Sequence, residues 1–250
     1  MKNMNTMTLL AAGTCAMIAA SAANAAITLY SQNFNNMVTS NTSSLPTGWA
    51  FGAGASPTFS GGTLAVTQNA GTSGVGILTG TSGGGAYLFV DGVLASGTDK
   101  SIGFLTSSGY SSPRSIMFKY TNSTGYDLSS FTASWDYEKY RSGTRQFDWT
   151  FFSSTDGITW TAVTSGAQSY SADLNNTTVS NPPASISKAD VAISASVANG
   201  ASLYLRWAYT GLSGSTNAQG LGVDNFSLVP APGAIALLGV AGLVGSRRRR

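Results

Sequence analysis

An all-β fold, an antiparallel sandwich or jelly roll, is what this sequence predicts, and three observations carry the prediction. The 250-residue chain is rich in Gly, Ser, Thr, Asn and aromatic side chains, poor in Lys and Glu, and only 9% charged. Such residues favour strands and tight connections over helices. Apolar residues recur at every second position in several segments, the period of a strand with one buried face. Those segments are short and punctuated by turn residues, which is the spacing of a sandwich rather than of βαβ units.

Taken in order, strands are expected at Ile27–Ser31, Thr63–Thr67, Ala86–Val90 and Ser115–Tyr120, where β-branched and aromatic residues cluster. The clearest alternation is Ser130–Arg141. There Phe131, Ala133, Trp135 and Tyr137 share one face, and Thr132, Ser134, Asp136 and Glu138 share the other. Phe147, Trp149 and Phe151 repeat the pattern, followed by Asp156-Gly157, a pair that suits a type I′ hairpin because both central residues need positive φ. Ser187–Val197 is Ala-rich with weak helical character, offset by its serines and valines, and reads as strand or loop. Leu203–Tyr209 and Gly222–Leu228 complete the set. The five tryptophans mostly fall within alternating strands, where an aromatic belongs to the core more often than to a ligand platform.

The two ends have a different character. Lys2, the apolar stretch Met7–Ala20 and Ala23-Asn24-Ala25 have the three parts of a secretory signal peptide, with Ala23 and Ala25 framing cleavage. At the other end Pro230-Ala231-Pro232 precedes the apolar run Ala234–Gly245 and the block Arg247, Arg248, Arg249 and Arg250. As a helix that run covers roughly 18 Å at about 1.5 Å per residue, short of a bilayer core of about 30 Å. Residues 1–25, 26–229 and 230–250 are therefore expected to be leader, β-sandwich body and tail.

Setting the ends apart reverses the charge argument. Thirteen Lys and Arg include Lys2 and the four terminal arginines, which leaves eight against ten acidic residues in the body, a net of −2. With no basic stripe to neutralise phosphates, nucleic acid is not an expected partner. The single cysteine, Cys15, lies in the leader, so the body holds no disulfide and no thiolate site.

The tail from Val229 to Arg250 resembles the PEP-CTERM sorting signal of Gram-negative bacteria, with Pro230-Ala231-Pro232 where that family has Pro-Glu-Pro. The resemblance implies export by the secretion machinery, signal peptidase cleavage and processing by an exosortase. It also implies transient insertion of the tail helix in the inner membrane and delivery to the cell surface or extracellular matrix. The body is similar to the lectin-like choice-of-anchor β-sandwich domains. That likeness rests on Tyr30-Ser31-Gln32-Asn33-Phe34-Asn35 with Leu45-Pro46-Thr47-Gly48-Trp49, on Glu138-Lys139-Tyr140-Arg141, and on Gly220–Leu228. It implies a jelly roll whose first and last strands lie side by side, and no reaction.

Because carbohydrate-binding jelly rolls often hold a structural Ca²⁺ near the paired terminal strands, the resemblance makes Asp224, Asn33 and Asn225 candidate oxygen ligands. The alternative is that Asp224 simply caps or hydrogen-bonds the last strand. Tyr137 and Tyr140 are candidate sugar-stacking residues.

The absence of histidine removes His-based triads and His-ligated zinc. A carboxylate pair could still serve glycoside hydrolysis. Asp136 and Glu138, two apart on one strand, project to one face about 7 Å apart at the Cα level. Lys139, Arg141 and Arg145 lie nearby, and an exposed strand of mixed charge is usually a salt-bridged surface. The expectation is an exported, non-catalytic surface or matrix protein that binds polysaccharide or is structural; a secreted glycan hydrolase using Asp136 and Glu138 is the alternative.

Overall fold

The computed structural model describes residues 27–38, 44–60, 83–90, 98–107, 111–173, 179–212 and 218–231. The expected leader, the expected strand Thr63–Thr67, and the tail from Pro232 through Arg250 lie outside the described residues. Among those described, no helix is long and apolar enough to cross a membrane.

Among the described residues, twelve strands follow in order: β1 Tyr30–Gln32, β2 Trp49–Ala53, β3 Gly85–Val90, β4 Lys100–Leu105, β5 Arg114–Thr121, β6 Leu128–Arg141, β7 Phe147–Ser154, β8 Thr161–Ala162, β9 Gln168–Tyr170, β10 Val179–Val197, β11 Ser202–Gly211 and β12 Gly220–Pro230. They form two antiparallel six-stranded sheets. The first runs β10-β6-β12-β4-β3, with β1 also on β12. The second runs β2-β5-β11-β7-β8, with β9 also on β7. The fold is thus an antiparallel β-sandwich of jelly-roll type. β1 and β12 are side by side, with Tyr30 opposite Leu228 and Gln32 opposite Phe226.

The alternation read in β6 is the alternation observed. Phe131, Ala133, Trp135 and Tyr137 are buried between the sheets, where Trp135 meets Phe151 at 4.5 Å and Tyr137 stacks on Trp149 at 5.6 Å. Phe226 of β12 stands edge-on to both Trp49 and Trp207, at 5.4 Å each. Four of the five tryptophans therefore belong to this core; Trp160 lies outside it, its indole N–H donated to the Pro57 carbonyl at 2.9 Å and its ring 5.1 Å from the Arg206 guanidinium.

One local expectation, the type I′ turn at Asp156-Gly157, is revised, and Ser187–Val197, open between strand and loop, is decided. Ser187–Val197 is strand, the second half of β10, because its small residues pair along β6 with interruptions at Lys188/Val191 and Ser194/Val197. β4, for which no strand was expected, is buried on both faces along Ser101–Leu105. The Asp156-Gly157 pair does not form a type I′ turn: only Gly157 has positive φ, 71°. Asp156 instead accepts the Ile158 and Thr159 amides at 2.8 and 2.7 Å and the Ser154 hydroxyl at 2.7 Å. Those donors hold its carboxyl well below the usual carboxylate range and organise a longer loop, Thr155–Trp160.

Candidate functional site

The outer face of the first sheet carries the unusual chemistry. β6 sends Asp136, Glu138 and Tyr140 there, and β12 sends Gly222, opposite Glu138, and Asp224, opposite Asp136. β4 and β3 add Ser101 and Phe89, which pair across the adjacent ladder. Phe89 stacks between Tyr87 at 5.2 Å and Tyr140 at 4.2 Å. Gly222 makes the layer possible: a Cβ there would stand 2.5 Å from the Ser101 hydroxyl and 3.2 Å from both the Phe89 and Tyr140 rings.

This layer is buried although it lies outside the sandwich core. Asp224 and Ser101 are fully buried, Tyr140 is 2% exposed and Glu138 only 5%. Ser101 donates to the Tyr140 hydroxyl at 2.7 Å, and Tyr140 donates in turn to the Glu138 carboxylate. Burial pushes Glu138 above its ordinary range against the opposing pull of the Tyr140 and Ser101 hydroxyls. The same burial raises the Tyr140 hydroxyl, with the neighbouring Glu138 charge adding to it.

Asp224 is the extreme case. Neither of its carboxylate oxygens accepts a hydrogen bond of ordinary geometry. Burial pushes its carboxyl up to about 8; the nearby Asn225 amide offsets this in part, and Glu138, Asp99 and Asp136 add to it. The donor beside it on the last strand is that Asn225 amide, and it does not outweigh the burial. Carboxylate oxygens of Asp99, Glu138 and Asp224 all lie within 4.8 Å of one another, with Asp99 exposed and the other two buried.

A bulge in β12 sets this geometry. Register shifts between Asp224 and Ser227, and Asn225 takes φ 51°. One extra residue lets consecutive side chains serve the same face before Phe226 turns inward. Asn225 donates to Asp136 at 2.9 Å, and the Ser187 hydroxyl donates to the other Asp136 oxygen.

Of the residues expected to bind Ca²⁺, Asn33 and Asn225 come together and Asp224 does not join them. Asn33 and Asn225 line an open recess of about 440 Å³ with Ser31, Gln32, Asn36 and Ser227. Asp224 instead faces Asp99 and Glu138. Asp99 and Glu138 were not expected as ligands, because they lie far apart in sequence and only the β4–β12–β6 pairing unites them.

The two tyrosines are not sugar platforms. Tyr137 faces the core, wholly buried, with its hydroxyl donated to the Gly166 carbonyl at 2.7 Å. Tyr140 does face outward, but its ring is covered and its hydroxyl is bound to Glu138. Asp136 and Glu138 share a face as expected, yet both Asp136 oxygens are engaged and Glu138 is buried. The nearby lysine does not pair with them: Lys139 bridges Asp173. In the expected sorting motif, Pro230 is the last residue of β12 and is buried, and the Ala231 amide donates to the Ser130 carbonyl at 3.1 Å.

No family model and no curated protein matches the sequence. Among solved structures, the chain is similar to the K3 cleaved adhesin domain of Lys-gingipain from Porphyromonas gingivalis, with TM-score 0.42 and 8% identity over 81% of this chain and 99% of that one. It is similar also to the K1 cleaved adhesin domain of the same protein, with TM-score 0.41 and 9% identity over 80% of this chain and 97% of that one.

Proposed function

We propose that this chain is an exported, non-catalytic surface or extracellular-matrix protein of a Gram-negative-type envelope, processed at its tail by an exosortase-type system, whose sandwich binds polysaccharide. The leader and the tripartite tail support export and processing. The observation that carries the non-catalytic part is the state of the only closely spaced carboxylate pair suggested by the sequence. A glycosidase needs one carboxyl free to protonate the leaving oxygen and another free to meet water or the sugar. Here Asp136 is held by Ser187 and Asn225, and Glu138 is buried beneath the Tyr140 hydrogen bond.

The recess beside β1 and β12 supports the binding part. Its amides and hydroxyls, from Ser31, Gln32, Asn33, Asn36, Asn225 and Ser227, present donors and acceptors that suit the hydroxyls of a neutral sugar. Each such bond contributes about 0.5–1.5 kcal/mol net, and the one aromatic in the lining, Phe226, is buried in the core. Retention on a polymer therefore depends on several weak bonds repeated along the chain.

The test is retention of the purified protein on a polysaccharide array with soluble sugar measured in parallel. Retention without sugar release, weakened by Asn36→Ala combined with Ser227→Ala, is expected. Sugar release that disappears in Glu138→Gln would replace this reading with the hydrolase. Absence of both retention and release would remove the polysaccharide and leave a structural surface protein.

A further inference from the structure

We propose that Asp99, Glu138 and Asp224 bind one Ca²⁺ on the outer face of the first sheet. This does not depend on polysaccharide binding, since none of the three carboxylates lines the amide recess.

Two independent features point to a bound cation. The first is the convergence of three carboxylates from separate strands and loops within 4.8 Å. The second is Asp224, fully buried and aimed into that cluster with neither oxygen accepting a hydrogen bond of ordinary geometry. A buried carboxylate without hydrogen bonds is costly, and native structures resolve it with a partner, a proton or a metal. The cations closest in sequence are committed elsewhere: Lys100 donates to the Asn35 and Met37 carbonyls at 3.0 and 2.7 Å, and Lys139 bridges Asp173.

The donor set selects the ion. All three donors are carboxylate oxygens, and the chain has no histidine and no cysteine outside the expected leader, so a soft or borderline metal has no matching ligands. Oxygens within 4.8 Å of one another can be gathered by one cation, and the flexible coordination of Ca²⁺ suits carboxylates from separate segments better than the near-ideal octahedron that Mg²⁺ demands. Bidentate carboxylates and water can complete the six to eight oxygens that Ca²⁺ takes. Glu138 is held in place for this by the Ser101–Tyr140 relay, the kind of outer support that orients metal-binding carboxylates. Asp99, exposed, gives the ion a route in from solvent.

The experiment is calorimetric titration and thermal melting of the full-length, chelator-stripped protein with CaCl₂ or MgCl₂ near neutral pH. One Ca²⁺ per chain is expected, with a Kd of about 1 mM or tighter. At hundredfold excess over that Kd, Tm rises by about 5–10 °C, and the response to Mg²⁺ is weaker. Asp99→Asn, at an exposed position that spares the fold, should raise the Kd about tenfold or more. Asp224→Asn should abolish the Ca²⁺ response while melting no lower than the metal-free parent. Two results would overturn the site: no heat and no Tm change at about 10 mM Ca²⁺, above the usual range for extracellular modules, or a Ca²⁺ response unchanged in Asp99→Asn. The first outcome would leave Asp224 as a buried, protonated acid.

Discussion

The two faces of the first sheet are built from the same strands and are almost equally inaccessible, yet they are held together by opposite means. On the inner face β6 and β12 contribute Phe131, Trp135, Tyr137, Val223 and Phe226, apolar or aromatic bodies that interlock with Trp149, Phe151 and Trp207 of the second sheet. On the outer face the same strands contribute Glu138, Tyr140 and Asp224, tied to Ser101 and Phe89. Burying apolar area stabilises in proportion to that area; burying carboxylates destabilises unless something neutralises them. The inner face explains why the domain folds. Without a neutralising partner the outer face costs stability, a cost that the proposed ion would offset.

The sharpest way to test this contrast is to injure each face separately. Trp207→Ala removes a ring that touches Trp49, Trp135, Phe151 and Phe226, and should lower unfolding stability by about 3–5 kcal/mol in denaturant titration. A loss much below that range would mean the inner face is not the main source of stability.

The outer face should respond to pH where the inner face does not. With divalent ions chelated, Asp224 titrates at about 8 in the folded state against an ordinary 3.8. Its folded pKa is raised, so its contribution is fully present below about pH 4 and declines as pH rises through about 8. Melting temperature should fall over that window in the parent and fall less steeply in Asp224→Asn, where the raised Glu138 carboxyl still contributes. An identical fall in both would assign the dependence to another group.

Smaller effects separate packing from charge within the outer layer. Gly222→Ala drives a methyl against Ser101, Phe89 and Tyr140 and should cost about 1–3 kcal/mol, measurable by denaturant melts. Tyr140→Phe keeps the ring on Phe89 but strips a donor from Glu138, which should cost about 1–2 kcal/mol. If Tyr140→Phe proved as damaging as Gly222→Ala, hydrogen bonding rather than packing would dominate the layer. The smallest change is expected from Asn36→Ala in the open recess, within about 0.5 kcal/mol, so that any loss of polysaccharide retention there reports binding and not folding.

Much of the sandwich was legible because strand alternation is a local property. β6 and β7 show it along most of their length, since each has one face directed at the core, whereas β11 and β12 each carry five consecutive buried residues. β4 was not legible because its apolar alternation is only Ile102 and Phe104, too short a run to stand out, and the burial of its small face at Ser101 and Gly103 depends on other strands. The aromatic assignment of β6 followed the same logic and divided. Tyr137 obeys its parity and packs inward; Tyr140 obeys its parity and faces outward, but a second buried layer meets it there. No pattern within β6 announces that layer, because Tyr87, Phe89 and Ser101 arrive from β3 and β4.

By itself, then, the sequence determined the fold class, the strands with one wet face and the placing of most tryptophans in the core. It also marked the distinct character of the two ends. Residue type and period settle these within a few neighbours along the chain. Tertiary structure decided which acids meet. Asp99, Glu138 and Asp224 are brought within 4.8 Å by pairing among β4, β12 and β6 and by the β12 bulge at Asn225. Such contacts depend on register between strands distant in sequence, and a one-residue slip would direct every one of those side chains to the opposite face.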